Sequence, residues 1–516
     1  MSRPSARALL LTLSLAALTR LSAQEPASAT VVPAATPAAP TAPAAAAPAA
    51  PELTLEECIA RVLEKNFSLR IQGFNSANAK ESLVIAKAGF EPTFNATGSR
   101  AHSQGVTSFT SGTITGTDFR QDQSDVRLGA TQNITTGAAL SVSTSVLRSS
   151  NNIPLNSLNP AYDSDIAFSI TQPLLKGAGP KVNRAGIETS KLGITIANLN
   201  YKGSVLQAVR DTEAAYYNLV FTRGQLVVKQ HSLELAAKLY DENKVRKNTG
   251  VATSLDVLTA EVGVAAAQNG VVLAAQQVRN AEDALLALTG QFEFNEPPGA
   301  VQFTPFTDPA PSVGESFRLA RDLQPNYLAA LNTIKQLEIA VSTAQNGSLP
   351  TLNLGGAVGF NGRDHTTGSA YDNLNTRENY NWQVDLSLSV PWGAHADKAR
   401  ARTAVNNLHQ EQALLQQIEQ TLLVQVRAAV LAVETNIESV QISNQATTLA
   451  EKQYELQRAK FDAGLATSRE VLQSQTDLET ARVANLQAKV NLRIAVANLH
   501  QLDGSSVDRY HIALAE

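Results

Sequence analysis

The chain has 516 residues, a formal net charge of −4 and 17% charged residues, a balance that argues against a nucleic-acid-binding protein. Its one cysteine, Cys58, excludes a disulfide within the chain. The seven histidines lack metal-ligand spacing and there is no Gly-x-Ser-x-Gly motif, so the sequence predicts no metal, no cofactor and no catalytic residue.

The N-terminus has the pattern of a secretory signal over residues 1–23. Basic Arg3 and Arg7 precede the apolar run Ala8–Leu18, which is too short to span a membrane. Gln24 follows the expected cleavage site, so no lipid-bearing cysteine is predicted there. Residues 24–52 are almost entirely Ala, Pro, Thr and Val, which predicts an extended linker that buries nothing.

A first repeat is predicted over residues 53–290, beginning with a helix that Thr54 caps. Strands follow over residues 93–172, where apolar and small polar residues alternate, and Pro173 ends the last of them. A hairpin near residues 126–148, turning at Thr136-Gly137, has no counterpart in the later part of the chain. The sequence leaves open whether this hairpin widens the sheet or forms an outer loop.

Long helices are predicted over residues 181–289 after a flexible turn at Gly177-Ala-Gly179. That turn lacks the third glycine of a dinucleotide-binding loop. Gly250 interrupts the helical pattern, and the second helix has a heptad seam in which alanine recurs at every second position until the last. The seam residues are Val257, Ala260, Val264, Ala267, Val271, Ala274, Val278, Ala281, Leu285 and Leu288.

The stretch Tyr240–Leu258 recurs 214 positions later as Tyr454–Leu472, which indicates an internal duplication. A proline-rich connector is predicted over residues 291–312, and a second repeat over residues 313–504. The second repeat begins with a helix over Val313–Ser348. It then contains strands over residues 351–390, long helices over residues 397–502 interrupted at Gly464, and an equivalent seam. Residues 505–516 form a tail.

The residue pattern of the strands predicts that their apolar face contacts a membrane. Val384, Leu386 and Leu388 alternate with polar residues, and Tyr380, Trp382 and Trp392 flank this strand at the places of an interfacial aromatic girdle. About two principal strands per repeat give about four per chain, too few to close a barrel. Several chains are therefore expected to share one barrel as a symmetric oligomer.

The chain resembles the TolC family of outer-membrane efflux proteins over Leu53–Gly504. The resemblance rests on the Leu53-Thr-Leu-Glu-Glu start, the strand-ending prolines Pro92, Pro173, Pro350 and Pro391, the Gln172-Pro173-Leu-Leu stretch, and the two glycine-centred repeats with their Leu-x-Gly ends.

The resemblance implies an α+β membrane protein in which a long antiparallel coiled-coil tunnel continues into a shared trimeric transmembrane β-barrel. It implies an outer-membrane location of the Gram-negative type with a large periplasmic portion, contact with outer-membrane lipid, and no enzymatic activity. The expected function is the passive exit duct of a tripartite efflux or type I secretion system, which docks to a periplasmic adaptor (membrane fusion) protein and, through it, to an inner-membrane transporter. The alternative is a structural trimeric coiled-coil envelope protein or adhesin. The sequence does not identify the transported substrate.

The resemblance also places the glycine repeats at the periplasmic tip of the tunnel, which docks the adaptor and gates the channel. Gly250 and Gly464 are expected to allow the chain reversal, and Ser254 and Ser468 to cap the returning helices. Three copies of Glu470 form a charged ring in one interpretation, whereas in the other Glu470 only favours a helix N-terminus. For Asp256 the second interpretation is preferred.

Overall fold

A computed structural model describes residues 53–107, 117–152, 158–290, 299–306, 310–376 and 378–512. The predicted signal and linker, residues 1–52, lie outside the described residues, as do parts of the connector, residues 291–298 and 307–309, and the end of the tail, residues 513–516.

Helices dominate the described chain, and the two helices before the strands and the two long helices after them occur in the same order in both repeats. They are α1 (Leu55–Lys65), α2 (Phe67–Ala88), α3 (Pro180–Asn183), α4 (Ala185–Asn248), α5 (Ser254–Leu288), α6 (Val313–Leu323), α7 (Pro325–Gly347), α8 (Thr367–Asn375), α9 (His395–Asp462), α10 (Ser468–Asp503) and α11 (Ser506–Arg509).

The helix at the start of each repeat is broken once, where the sequence predicted one continuous helix. Thr54 caps α1, because its hydroxyl accepts a hydrogen bond from the Glu57 backbone N–H at 3.2 Å. Asn66 then interrupts the helix with an extended backbone, and its side chain caps α2 through the backbone N–H groups of Ser68 and Leu69. In the second repeat the break falls at Gln324, because the residue before Pro325 disfavours helical geometry.

The strands of the described residues form one antiparallel sheet in chain order, and the prediction of about four strands is wrong because six are present there. They are β1 (Thr93–Thr107), β2 (Thr117–Asn133), β3 (Ala139–Asn151), β4 (Ala161–Pro173), β5 (Thr351–Asp364) and β6 (Tyr380–Ser389). The hairpin β2–β3 lies inside the sheet, with β1 on one side and β4 on the other. The open question about this hairpin is thereby answered, since it widens the sheet.

The long helices pair as two hairpins, α4 with α5 and α9 with α10, and α10 also packs against α4. Every residue of the α5 seam is buried or half-buried. The equivalent α10 seam, from Val471 to Leu502, is buried or half-buried throughout as well. The seams therefore form the helix contacts that their spacing predicts.

Helix α5 is also long and apolar enough, by length and composition, to cross a membrane. It runs along α4, and its apolar residues include both the seam and the exposed Val262, Val272 and Leu273.

Cys58 in α1 is fully buried, and burial raises the pKa of its thiol to about 11, as expected for a packing residue.

Candidate functional site

The two glycine turns at the ends of α4 and α9 have the same backbone geometry. Gly250 has φ +81° and Gly464 has φ +72°, the left-handed region that glycine adopts without strain. After each glycine the next amide turns back onto the helix: Val251 N–H donates to the Arg246 carbonyl at 2.9 Å, and Leu465 N–H to the Lys460 carbonyl at 2.8 Å. Both turns therefore satisfy carbonyls at the helix end while reversing the chain.

The returning helices are capped by threonines, so the expectation that Ser254 and Ser468 serve as caps is wrong. Thr253 caps α5 and Thr467 caps α10, each within a capping box. The hydroxyl of Thr467 accepts from the Glu470 N–H at 3.4 Å, and the Thr467 N–H donates to Glu470 Oε2 at 2.7 Å. The two serines are instead the first helical residues.

Asp256 and Glu470 occupy equivalent positions and have the same local role. Hydrogen bonds from the Thr253 hydroxyl and backbone N–H, at 2.7 and 2.9 Å, lower the pKa of the Asp256 carboxyl. Those from Thr467, led by its backbone N–H, lower the pKa of the Glu470 carboxyl. Both acids are therefore held ionised at helix N-termini, where negative charge is favourable.

The equivalent serines differ in their surroundings within one chain. Ser468 is 2% exposed and its hydroxyl donates to Asn243 Oδ1 on α4 at 2.7 Å, which ties the second hairpin to the first. The Asn243 amide in turn donates to the Leu239 carbonyl at 2.8 Å. Ser254 is exposed. The buried link lies beside the tip, and the repeat pattern alone did not reveal it.

Charged side chains join α4 to α9 just behind the turns. Arg246 donates to the Phe461 carbonyl at 2.9 Å, and its guanidinium lies 4.0 Å from the centre of the Phe461 ring. Arg458 pairs with Glu242, and a weaker contact of 3.5 Å joins it to Asp462. Sequence reasoning missed these residues because they belong to different repeats, about 215 residues apart, at positions that the duplication does not relate.

Exposed apolar residues project from both turns. Val251 is 73% exposed and Leu465 is 79% exposed, at positions related by the 214-residue repeat. Leu255 and Leu258, near the start of α5, are also exposed. A tip of this composition presents apolar surface without a partner in the chain, which is typical of an interaction surface.

The sheet at the other end of the helices has one apolar and one polar face. The strand register places these apolar residues on the same face: Phe94, Leu128, Val142, Phe168, Leu354, Val358, Trp382, Val384, Leu386 and Leu388. Val384, Leu386 and Leu388 are each about two-thirds exposed. The opposite face carries Asp125, Arg127, Asp163, Asp165 and Arg363, with Arg363 Nε 3.0 Å from Asp163 Oδ1.

This two-faced sheet suits a wall with hydrocarbon on one side and water on the other. Within the described ranges, no group of three or more His, Cys, Asp or Glu is arranged to hold a metal ion. The sheet faces and the helical tips are the features that the described residues offer for function.

Long paired helices joined to such a sheet define the fold of outer-membrane channels. The chain matches the structure of CusC with a TM-score of 0.65 and 13% identity, over 87% of this chain and 91% of CusC. It matches the CmeC outer membrane channel of Campylobacter jejuni with a TM-score of 0.64 and 16% identity, over 87% of this chain and 85% of CmeC.

The sequence profile of the outer membrane efflux protein family matches residues 58–291 and 318–505, and the chain belongs to that family. The outer membrane protein TolC of Escherichia coli (strain K12) is 23% identical over 330 residues. That alignment covers 62% of this chain and 66% of TolC, just under two thirds of the relative. The predictions of a TolC-like family and fold are confirmed.

Proposed function

We propose that three copies of this chain form one continuous conduit through the outer membrane and periplasm, the passive exit duct of an efflux or secretion system. The observation that carries the proposal is that one chain combines a two-faced sheet with two equivalent helical hairpins. The sheet supplies a membrane wall, and the hairpins supply a tunnel that ends in docking turns. The energy for transport comes from a partner pump, and we assign the duct itself no catalytic role.

The duplication supports an assembly in which neighbouring copies make the same kind of helix contact that joins the two repeats within one chain. Inside the chain, α10 packs on α4, and the duplicated equivalents of these helices are α5 and α9. Shifting the buried pair Ser468–Asn243 by 214 positions gives Ser254 and Gln457. Ser254 is exposed in the single chain, so a neighbouring copy's α9 is the natural partner for α5. Three copies are the number that the family resemblance implies.

The apolar face has the height of a bilayer. Strand β6, Tyr380–Ser389, has ten residues, within the range of about 9–11 that a tilted transmembrane strand needs. The exposed Tyr380 begins this strand, and the exposed Trp392 lies three residues beyond its end. Interfacial aromatic residues belong at both edges of such a strand.

The turns around Gly250 and Gly464 dock a periplasmic adaptor, which connects the duct to an inner-membrane transporter. The exposed side chains of Val251 and Leu465 supply apolar contact, and their equivalence gives the adaptor two similar contact sites on each chain. The residues we assign to this tip and its gate are Gly250, Ser254, Asp256, Gly464, Ser468 and Glu470. A ring of Glu470 carboxylates around the mouth is compatible with their ionised state.

The second candidate function is a structural stalk or adhesin with a membrane anchor. A stalk anchored in the membrane predicts one strand-rich terminus. In this chain both repeats contribute strands to the same sheet, with β4 from the first repeat paired to β5 from the second. A sheet built jointly in this way favours the duct.

Photo-cross-linking from the tip tests the docking part of the proposal. A photoreactive residue at Val251 or Leu465 is expected to capture a periplasmic adaptor in intact cells. The matched control is the same residue at Leu431, which is 60% exposed on α9 and lies far along the helix from the turn. Capture of the adaptor from Leu431 but from neither turn would contradict docking at the tip.

A further inference from the structure

The hairpin β2–β3 is an insertion in an otherwise duplicated sheet. Pro92 before β1 corresponds to Pro350 before β5, and Pro173 at the end of β4 corresponds to Pro391 after β6. In the second repeat the two corresponding strands, β5 and β6, pair directly. In the first repeat β2 and β3 stand between β1 and β4. The first repeat thus contributes two strands that the duplication does not require.

The inserted hairpin is fully integrated into the sheet rather than loosely attached. Strand β1 pairs with β2 along the whole length of β1, from Thr93 opposite Thr131 to Thr107 opposite Thr117. On the other side, β3 pairs with β4, and the Ser141 and Ser169 hydroxyls lie 2.6 Å apart across this pair. Two continuous ladders of backbone hydrogen bonds hold the hairpin inside the sheet.

The turn of the hairpin is held by specific hydrogen bonds and a close backbone contact at the helical end of the sheet. The Thr136 carbonyl accepts from Gly179 N–H at 2.9 Å, and the Thr136 hydroxyl donates to Gln172 at 3.1 Å. Gly137 has φ +94°, and a Cβ there would lie 2.4 Å from the Gly177 carbonyl oxygen. Asn183 fixes the same segment by donating to the Gly177 carbonyl at 2.8 Å. The turn Gly177–Gly179 therefore binds the turn of the inserted hairpin through backbone contacts that its glycines allow.

We propose that three copies join β6 of one chain to β1 of the next and close a barrel of 18 strands, six from each chain. This inference rests on the proposed function, because it takes the trimeric membrane duct as given. Six is an even number, so β1 and β6 run in opposite directions, and their pairing continues the antiparallel order around the ring. Closure also pairs the two free edges, as a membrane sheet requires.

The duplication gives the register of this junction. The pair β4–β5 joins the last strand of one repeat to the first strand of the next, and β6–β1 does the same between chains. Thr171 lies opposite Gly355 in the observed pair. Thr171 lies two residues before Pro173, and the equivalent position before Pro391 is Ser389. Gly355 lies five residues after Pro350, and the equivalent position after Pro92 is Thr97. The same register therefore places Ser389 opposite Thr97 of the neighbouring copy. In this register Leu388 and Gly98 share the apolar face, so the two faces continue across the junction.

The inserted hairpin sets the width of the exit. Strands about 4.8 Å apart and tilted by about 45° give an 18-stranded barrel a backbone radius of about 20 Å. Without the insertion, 12 strands would give about 13 Å. The cross-section at the membrane is then about twice as large, which suits bulky cargo or several small molecules at once.

Disulfide trapping in membranes tests strand number and register. The native Cys58 stays in place because it is fully buried. Thr97→Cys with Ser389→Cys is expected to give covalent dimers and trimers, since opposite residues lie within disulfide range. The off-register control, Ala101→Cys with Ser389→Cys, moves one partner by four residues, about 13 Å along the strand, and is expected to give no cross-link.

A second pair of variants asks whether the hairpin lies in the wall. Ser141→Cys with Ser169→Cys is expected to form a disulfide within one chain, detected by mass spectrometry of unreduced peptides. Asn95→Cys with Ser169→Cys reproduces the observed pair Asn353–Ser387 in the first repeat, and would cross-link if β1 paired directly with β4. In the 18-stranded barrel two strands separate them, so no disulfide is expected.

The outcomes separate this inference from the proposed function. A disulfide in the Asn95/Ser169 variant, with none in the Ser141/Ser169 variant, would overturn the wide barrel while leaving a trimeric duct intact. Cross-linking of Ala101 rather than Thr97 to Ser389 would overturn the register. A chain that is monomeric in native membranes, with no intermolecular product from any variant, would refute the proposed function itself.

Discussion

Replacing Gly464 by valine tests the chain reversal at the tip. The residue has φ +72°, and no heavy atom lies within 4 Å of a Cβ built there, so the substitution causes backbone strain without a clash. A left-handed L-residue costs about 1–2 kcal/mol. The matched control is Gly186→Val, because Gly186 lies in helix α4 with equally open surroundings and without a positive φ. Valine at this helical site is expected to be neutral or slightly stabilising.

Hydrogen exchange at the tip measures this strain directly. The Leu465 amide, which donates to the Lys460 carbonyl, should exchange about 5 to 30 times faster in Gly464→Val, the factor that corresponds to 1–2 kcal/mol. In Gly464→Asn the exchange rate of this amide should lie between those of the wild type and Gly464→Val, because asparagine tolerates the left-handed region. In cells, Gly464→Val should impair export more than Gly186→Val. Equal exchange rates and equal export in both valine variants would refute the assigned reversal.

Three further predictions concern the free energy of unfolding of the purified protein. Thr467→Ala removes a helix cap and should cost about 1 kcal/mol. Ser468→Ala leaves the buried Asn243 oxygen without its donor and should cost about 1–3 kcal/mol, whereas the exposed equivalent Ser254→Ala should change stability by less than about 0.5 kcal/mol. Burial raises the pKa of Glu213, so its contribution to stability is lost as pH rises through the folded-state pKa; Glu213→Gln should flatten that decline.

Denaturant titration checks the first two of these predictions, and the same titration at several pH values checks the third. Equal losses in Ser468→Ala and Ser254→Ala would contradict the buried link between the hairpins. If the Glu213→Gln variant lost stability with rising pH as steeply as the wild type, another group would have to account for the dependence.

The duplication made the helical part of the fold predictable. A glycine flanked by heptad seams at a fixed spacing specifies a helical hairpin, and the structure has one around Gly250 and one around Gly464. Breaks that depend on one residue were harder to predict: Asn66 ends a helix by capping the next, and no periodicity records that.

The sheet was less predictable because strands rich in small polar residues give weak alternation. Strand β1, Thr93–Thr107, has few apolar residues, and its pairing with β2 is visible only in three dimensions. The caps at the tip were misassigned for a different reason. Thr253 and Ser254 both favour helix N-termini, and only the three-residue spacing from Thr253 to Asp256 identifies the cap.

The contacts behind the tip, such as Glu242 with Arg458, join residues that the repeat does not relate to each other. A single sequence gives no information on such pairs, because they depend on how the two hairpins are placed side by side. The Ser468–Asn243 link is of the same kind.

Planar-bilayer recording of the purified oligomer tests the central claim most directly, because a duct conducts ions and a stalk does not. We predict discrete conductance steps in the wild type and in Arg458→Ala, the variant that lacks the ionic contact between α4 and α9 behind the tip. Absence of ion conductance in the inserted wild type and in Arg458→Ala, at every voltage, salt concentration and pH applied, would contradict the account.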